Sequence, residues 1–262
     1  MTIDPLMAQP VRISDVSLYL RCPRLLYFQA MGRKVHPEAA APATLLMREV
    51  ALSLSEIGPE EAADLGGWLR EALERALVEL PAIFPDRMNP HDLQAAAEEV
   101  GAWAAEVAPR MVLALQLITP STVEVDLRSD RLGISGRVDR VVSRGDEDGT
   151  PNVKVPSMMR VDLPPEAGVW RSDRLRLAGY AMLLEEELET RVDLGLVEYL
   201  RAGEVREVEI RPTDRRRVLR IRDRVRLIGE GKLPDRPREA PCDRCPVLDA
   251  CETRQTLASK FF

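Results

Sequence analysis

The sequence contains no long apolar run, carries no excess of positive charge and has only a few lysines. No stretch reaches the roughly 18 consecutive apolar residues that a membrane-spanning helix needs. The first 15 residues also lack the cationic start and the apolar core of a signal peptide. We therefore expect a chain that is neither secreted nor inserted in a membrane, with a cytoplasmic location.

The charge balance argues against a uniformly basic coat for nucleic acid. Lys and Arg total 37 against 43 Asp and Glu, which leaves a net charge of −6. Only four of these cations are lysines, so a lysine at a motif position carries more weight than usual. Apolar residues make up 45% and charged residues 31% of the 262, which is typical of a globular chain with a sizeable core.

The order of sequence patterns predicts an α/β fold that carries a helical insertion. Apolar residues recur at three- and four-residue spacings over 44–116, which predicts helices. From residue 122 the pattern alternates, which predicts a strand, a turn and a second strand. A helix from about Ser172, two further strands and a last helix over 214–231 complete the chain.

Four cysteines form one constellation, with Cys22 near the start and a Cys-x2-Cys-x5-Cys group near the end. Grouped thiols in a cytosolic chain indicate metal or redox chemistry rather than disulfides. Four thiolates suit either tetrahedral zinc or an iron–sulfur cluster, and a one-plus-three division is more typical of a cluster. Unrelated buried cysteines are the remaining alternative. The grouped residues are Cys242, Cys245 and Cys251.

Several motifs, in their order along the chain, resemble those of one nuclease family. They are SLYLRCPRLLYF near the start, Gly-Arg-Val-Asp ending at Asp139, DRLRLAGYAMLLEE from Asp173, and the terminal cysteine group. Together they resemble the CRISPR-associated RecB-like exonucleases, iron–sulfur members of the PD-(D/E)XK nuclease superfamily. The resemblance spans nearly the whole chain except 50–115.

The resemblance implies a single restriction-endonuclease-like domain over 1–262, with a mixed sheet flanked by helices. The insertion over 44–116 lies within it, and a [4Fe–4S] cluster joins Cys22 to 242–251. It also implies a hydrolytic site that holds Mg²⁺ or Mn²⁺ on carboxylates, with a lysine nearby.

Individual site residues transfer unevenly from the family. Asp139 matches the family's metal-binding aspartate, and Tyr180 matches a tyrosine on the following helix. The glutamine expected on that helix is Arg176 instead. Two placements of the Glu/Asp-x-Lys triplet remain open. One is 152–154, which keeps Lys154 as a catalytic residue, and the other is 158–160; neither supplies the second carboxylate.

Arginines supply candidate contacts to DNA. Residues 211–238 carry a local charge of +7, so the rest of the chain is −13. A solvated helix in an arginine-rich protein is the alternative interpretation. Two further arginines are close in the sequence to the cluster cysteines and would extend the same basic surface. The candidates for phosphate contact are Arg24, Arg215, Arg216, Arg222, Arg226 and Arg244.

These features support three functional hypotheses. The first is a CRISPR-associated iron–sulfur protein that binds DNA and assists spacer acquisition beside the integrase, with hydrolysis weakened or lost. The second is an active Mn²⁺- or Mg²⁺-dependent exonuclease on single-stranded DNA, with unrecognised ligands such as Glu124 or Asp162. The third is a non-catalytic protein-interaction subunit in which the cluster only stabilises the fold.

Overall fold

The computed structural model describes residues 9–35, 40–58, 61–145 and 153–252. Within them, the helices between residues 44 and 116, the hairpin that follows, and the later helix, two strands and last helix occur in the predicted order. The helices are α1 (Ile13–Arg21), α2 (Pro23–Ala30), α3 (Pro42–Ser53), α4 (Leu65–Ile83), α5 (Pro90–Ile118), α6 (Arg171–Leu188) and α7 (Pro212–Gly229). The strands are β1 (Val11–Arg12), β2 (Ser121–Ser129), β3 (Ile134–Arg144), β4 (Val153–Arg160), β5 (Leu194–Tyr199) and β6 (Glu204–Glu209).

These strands form one mixed sheet in which β3 is central to the site. The antiparallel partner β2 follows one edge of β3 along most of its length. The other edge carries the short parallel strand β1 first and the antiparallel strand β4 later. Beyond β4 the sheet continues through β5, which is parallel to β4, to the antiparallel strand β6.

Apolar side chains cover both faces of the sheet. Helices α3, α4 and α5 pack on one face, where they bury residues such as Leu69 and Val100. Helices α1, α6 and α7 contribute to the core on the other face, which includes Ile13 and Leu177. A third, smaller cluster joins α2 and the end of α7 to the cysteine-rich segment. The predicted helices between residues 44 and 116 therefore form a layer on one side of the sheet.

Two glycines allow α1 to lie close against β3 and α6. A Cβ at Gly179 would stand 2.3 Å from Ile13 Cδ1, and one at Gly136 would stand 3.0 Å from both Ile13 and the Tyr180 ring. Any larger side chain at these positions would push α1 outward. The close approach fixes the position of Tyr180 beside β3.

A buried ion pair ties the helical layer to the sheet. Arg140 is fully buried, and its Nε donates to Glu198 Oε1 over 3.0 Å. Its Nη2 donates to the carbonyl oxygen of Ala51 in α3 over 2.7 Å. Ser157 donates to the same Glu198 oxygen over 2.6 Å. This network lies directly next to Asp139 in β3. No sequence motif predicts it.

Candidate functional site

The centre of the candidate site is the carboxylate of Asp139, which is 6% exposed. The Nη2 atom of Arg48 in α3 lies 2.7 Å from its Oδ1 atom. The backbone N–H of Met159 in β4 donates to its Oδ2 atom over 2.6 Å. Both carboxylate oxygens therefore already have a partner within the protein.

Asp139 lies in a short part of β3 that has no backbone partner on one edge, between the residues that pair with β1 and those that pair with β4. On one edge of β3, β1 pairs with Ile134 and Ser135, and β4 pairs from Arg140 onward. Residues 136–139 lie between these segments. The Asp139 side chain accepts a hydrogen bond from the N–H of Met159, just beyond the last backbone pair of β3 and β4. It thereby joins the two strands where their backbone pairing stops.

A second carboxylate, that of Glu124 in β2, approaches the same arginine. Its Oε1 atom lies 3.7 Å from Arg48 Nη2, and its side chain is 46% exposed. The neighbours of Glu124 pair with Val138 and Arg140, so Glu124 falls opposite Asp139. Its φ of 50° is uncommon for a residue with a side chain, and such backbone strain is often found at functional sites.

The electrostatics of this group favour a charged arginine at its centre. Burial by itself lowers the pKa of Arg48, but the charges and hydrogen bonds of Asp139 and Glu124 outweigh that effect and raise it. Arg48 therefore remains a cation between two carboxylates. Sequence reasoning missed Arg48, because none of the motifs that resemble the nuclease family includes it.

The structure does not bring Lys154 into the site. Its Nζ atom donates to Ser143 Oγ over 2.5 Å, and the two residues are paired across β3 and β4. Ser143 lies four residues from Asp139, a separation of about 13 Å along a strand. Asn152, the other end of that triplet placement, lies outside the described residues.

The second placement of the triplet, over residues 158–160, is the one beside Asp139. Met158 is fully buried, and Met159 supplies the N–H that binds Asp139. Arg160 pairs with Asp162, and its Nε atom lies 3.7 Å from Asp173 Oδ2. On this placement of the triplet, Met158 stands in place of the acid and Arg160 in place of the lysine.

One face of α6 borders the same region with Asp173, Arg176 and Tyr180, at spacings of three and four residues. Burial raises the pKa of the Asp173 carboxyl, while the charges of Arg160 and Arg176 oppose that rise. Burial likewise raises the pKa of Tyr180, and the charge of Asp139 acts in the same direction. The Tyr180 hydroxyl donates to the carbonyl oxygen of Arg137 over 2.8 Å.

A cationic cavity of about 530 Å³ adjoins Tyr180. It is lined by residues of α1, the β2–β3 hairpin and α6, and sequence analysis did not identify it as a site. The hairpin could have indicated two of its members, because Arg128 and Arg137 stand two pairs apart on neighbouring strands. The charged lining residues are Arg12, Asp126, Arg128, Arg137 and Arg176.

The residues around Asp139 do not fit a hydrolytic dication. Mg²⁺ and Mn²⁺ prefer several oxygen ligands, whereas Met158 and Met159 offer none from their side chains. Arg48 places positive charge against Oδ1 of Asp139, where a metal ion would have to bind. In the described part of the chain, no three His, Asp or Glu side chains around Asp139 are arranged to hold a metal ion.

The cysteines lie near one another, and their thiol groups are the type of ligand that an iron–sulfur cluster requires. Cys22 and Cys251 are buried in one small apolar cluster, against which Cys245 packs. Burial chiefly raises the pKa of Cys22, and the charges of Cys245 and Cys251 raise it further. Cys242 begins a short 3-10 helix, and its carbonyl oxygen accepts the N–H of Cys245 over 3.1 Å.

The arginine beside Cys22 is not on an accessible rim, contrary to expectation. Arg24 is 8% exposed, its Nη1 atom donates to Cys251 Sγ over 3.1 Å, and its Nε atom donates to the carbonyl oxygen of Pro234. It therefore links α2 to the cysteine segment. The side chain of Arg244 lies outside the described part of the chain.

Most of the α7 arginines that are candidates for phosphate contact also bind groups within the protein. Arg215 binds Glu185 and backbone carbonyl oxygens, and its side chain is only 14% exposed. Arg222 and Arg226 donate to the carbonyl oxygens of Leu132 and Gly133. Of the four arginines expected to contact DNA from α7, only Arg216 is exposed. Arg215, Arg222 and Arg226 are partly covered, because α7 packs against both α6 and the β2–β3 turn.

Comparison with known proteins adds a family match and two sequence relatives. A family model described as the PD-(D/E)XK nuclease superfamily matches residues 12–252. A protein of Archaeoglobus fulgidus described as uncharacterized is 29% identical over 255 residues, 96% of this chain and 99% of that protein. A CRISPR-associated exonuclease Cas4/endonuclease Cas1 fusion of Leptospira interrogans is 29% identical over 131 residues. That match covers 49% of this chain and 24% of the fusion.

A solved structure shares the fold. The crystal structure of a candidate exonuclease from Eubacterium rectale matches with a TM-score of 0.53 at 11% identity, over 95% of this chain and 92% of that one. With the family match, this confirms the predicted restriction-endonuclease-like mixed sheet flanked by helices. No helix among the described residues is long and apolar enough to cross a membrane.

Proposed function

Because this chain belongs to the PD-(D/E)XK nuclease superfamily, we propose that it binds DNA through a nuclease fold whose hydrolytic site is weakened or lost. The observation that carries the proposal is the double engagement of Asp139, by Arg48 on one oxygen and by the Met159 N–H on the other. A residue that would be a metal ligand in an active enzyme serves here as an internal ion-pair partner.

Arg48 opposes a metal ion in two ways. Its guanidinium blocks the Oδ1 atom of Asp139, and its charge repels a dication at short range. Moving Arg48 aside breaks its ion pair with Asp139 and its weaker one with Glu124. The neighbouring residue Met158 then supplies no oxygen to compensate. A metal at this position is therefore held loosely at best.

The cavity beside Tyr180 supports contact with the DNA backbone. Four arginines line it against one acid, Asp126, and that acid is already paired with Arg137 through an Nη2–Oδ2 distance of 2.8 Å. Clustered guanidinium groups bind phosphate oxygens without reading base sequence. We assign the principal phosphate contacts to this cavity, with Arg216 of α7 as a peripheral one.

The proposal includes a [4Fe–4S] cluster on Cys22, Cys242, Cys245 and Cys251. When bound, such a cluster would join the first helices to the end of the chain and replace core packing there. Arg24 supports this assignment, because its guanidinium already directs a hydrogen bond to Cys251 Sγ. A cationic donor of this kind offsets the negative charge of a thiolate ligand.

We further propose that the protein assists spacer acquisition beside the CRISPR integrase. The support is the sequence similarity of half the chain to a fusion whose name joins an exonuclease to an endonuclease. In this role, a protein that binds DNA without hydrolysing it would hold the strand ends while another subunit carries out the reaction.

One observation favours a second candidate, an active exonuclease. Glu124 faces Asp139 across Arg48 with nearly half of its side chain exposed. If Arg48 moved aside on DNA binding, the two carboxylates would be free to share a metal ion. This alternative requires a rearrangement that the proposed function does not.

DNA binding is tested by fluorescence anisotropy of the full chain with a labelled oligonucleotide at several salt concentrations. We expect Arg128→Gln and Arg176→Gln to weaken binding and to reduce its salt dependence. The matched control is Arg110→Gln, an exposed arginine of α5 that pairs only within its own helix. Equal affinity of all three variants would contradict the cavity assignment, and no binding by the wild type would contradict the function.

A further inference from the structure

A second cavity, of about 730 Å³, opens on the other side of the candidate site. It lies between α1, the end of β4 and the start of α6, and its lining includes Ser17, Arg21, Arg160, Trp170 and Arg171. Its volume lies within the range of small-ligand sites. Arg160 connects it to the candidate site, since it directly follows Met159, the residue that binds Asp139.

Trp170 gives this cavity an aromatic surface. Its side chain is 46% exposed, although large aromatic residues are usually covered. It immediately precedes α6 and makes no side-chain cap to that helix. The indole N–H makes only a long contact of 3.5 Å to the carbonyl oxygen of Leu163. The ring is therefore available for stacking.

Positive charge surrounds that ring. Arg21 and Arg171 are exposed, and within the described residues neither of them forms an ion pair. Arg160 adds a third guanidinium, which is already paired with Asp162 and lies 3.7 Å from Asp173 Oδ2. The cavity thus combines a stacking surface with two cations, Arg21 and Arg171, that form no ion pair among the described residues.

One unsatisfied polar atom also belongs to the lining. The hydroxyl of Ser17 is buried and has no hydrogen-bond partner among the described residues, whereas the buried Nε atom of Arg160 lies 3.7 Å from Asp173 Oδ2. Buried hydroxyl groups nearly always have a partner, so the Ser17 hydroxyl is a group that a ligand in this cavity would satisfy.

From these observations we propose that this cavity binds one unpaired nucleotide of a DNA strand. The base stacks on Trp170, and the adjoining phosphates contact Arg21 and Arg171. Stacking on an aromatic side chain accepts any base, but it requires that the base be unpaired. The proposal rests on the proposed function, and it assigns the place in the fold where an unpaired base of the strand is held.

The test compares a labelled oligonucleotide of about ten nucleotides with a blunt duplex, using anisotropy and tryptophan fluorescence of the full chain. Trp170→Ala should weaken binding of the single strand roughly 5- to 140-fold, the usual range for one stacked base. Duplex binding should be unchanged, and Trp170→Phe should retain most of the affinity. Val78→Ala, an exposed apolar residue of α4, is the matched control.

A second pair of variants keeps the test independent of folding. Arg21→Gln and Arg171→Gln change exposed residues, and each should reduce the slope of log affinity against log salt by roughly 0.7 for every phosphate that the variant no longer neutralises. Unchanged slopes would overturn the assignment of the phosphates. DNA binding by the wild type with no decrease in Trp170→Ala would overturn only the cavity, whereas no DNA binding at all would overturn the proposed function as well.

One further arm distinguishes a strand from a free nucleotide. The oligonucleotide should quench the fluorescence of the wild type but not that of Trp170→Phe. The other two tryptophans, Trp68 and Trp103, lie in the helical layer and serve as an internal reference. If dAMP alone quenches as strongly and displaces the oligonucleotide, the cavity takes a free nucleotide and the strand assignment is wrong.

Discussion

Arg48 Nη2 lies 2.7 Å from Asp139 Oδ1, so a guanidinium occupies the position that a metal ion on this carboxylate oxygen would take. The pair joins α3 to β3 at the point where β3 and β4 separate. Asp139 also has a structural role, because its other oxygen accepts the N–H of Met159 in β4. The two contacts of this buried aspartate therefore connect separate elements of the fold.

The first prediction concerns the stability that this pair provides. Arg48→Met should lower the free energy of unfolding by about 1–3 kcal/mol, because it leaves the buried Asp139 carboxylate without its charged partner. The measurement is urea denaturation, with Arg110→Met as the control for removal of a surface arginine. If both variants unfold at the same urea concentration, the pair has no structural role.

The second prediction concerns the buried pair next to it. Arg140→Met should lower the free energy of unfolding by about 3–5 kcal/mol, since Glu198 is left as an unpaired buried charge. The double variant Arg140→Met with Glu198→Leu should lose less than the sum of the two single variants, because no charge is left unpaired. Strict additivity in this double-mutant cycle would show that the two side chains do not interact.

The third prediction concerns pH. Burial raises the pKa of Asp173 in the folded state, with Arg160 and Arg176 opposing, above the value of about 3.9 in an unfolded chain. The folded state then binds more protons, so stability decreases as pH rises through the window just above about 4. Asp173→Asn removes this titration. Its stability relative to the wild type should therefore rise between pH 3 and pH 7.

Thermal unfolding of both proteins at a series of pH values measures this difference. Glu166→Gln, which removes an exposed carboxyl group from the loop before α6, is the control. A stability difference between Asp173→Asn and the wild type that falls with rising pH would mean that ion pairing with the arginines outweighs burial.

The fourth prediction concerns the cysteines. Protein purified without oxygen should contain about four irons and about four acid-labile sulfides per chain, as a [4Fe–4S] cluster requires. Cys251→Ser should lose both and unfold more easily, because it removes a ligand from the buried end of the site. Zinc in place of iron and sulfide would contradict the cluster while leaving a metal site on the same thiols.

Much of the fold could be predicted from the sequence, because periodicity reports local structure. The β2–β3 hairpin, the helices between residues 44 and 116, and α6 and α7 all follow their apolar patterns. The two-residue strand β1 could not be predicted, since it depends on pairing with the distant residues Ile134 and Ser135.

The candidate site was only half predictable. Asp139 and Tyr180 follow recognisable motifs, and the structure brings both into one region. Arg48 carries no motif, and its role depends on where α3 packs against the sheet. Lys154 fits a spacing rule but lies at the far end of the ladder. Chain position alone does not tell an arginine that binds a carbonyl oxygen, such as Arg222, from one that is free to bind phosphate.

The central claim is that the Asp139 site no longer performs metal-dependent hydrolysis. The most direct measurement is cleavage of end-labelled single-stranded DNA with Mn²⁺, using anaerobically purified wild type and Asp139→Asn. Asparagine keeps an oxygen for the Met159 N–H but gives up the carboxylate charge. We predict that neither protein cleaves, although the wild type still binds the DNA. Mn²⁺-dependent cleavage by the wild type that is abolished in Asp139→Asn would contradict the account.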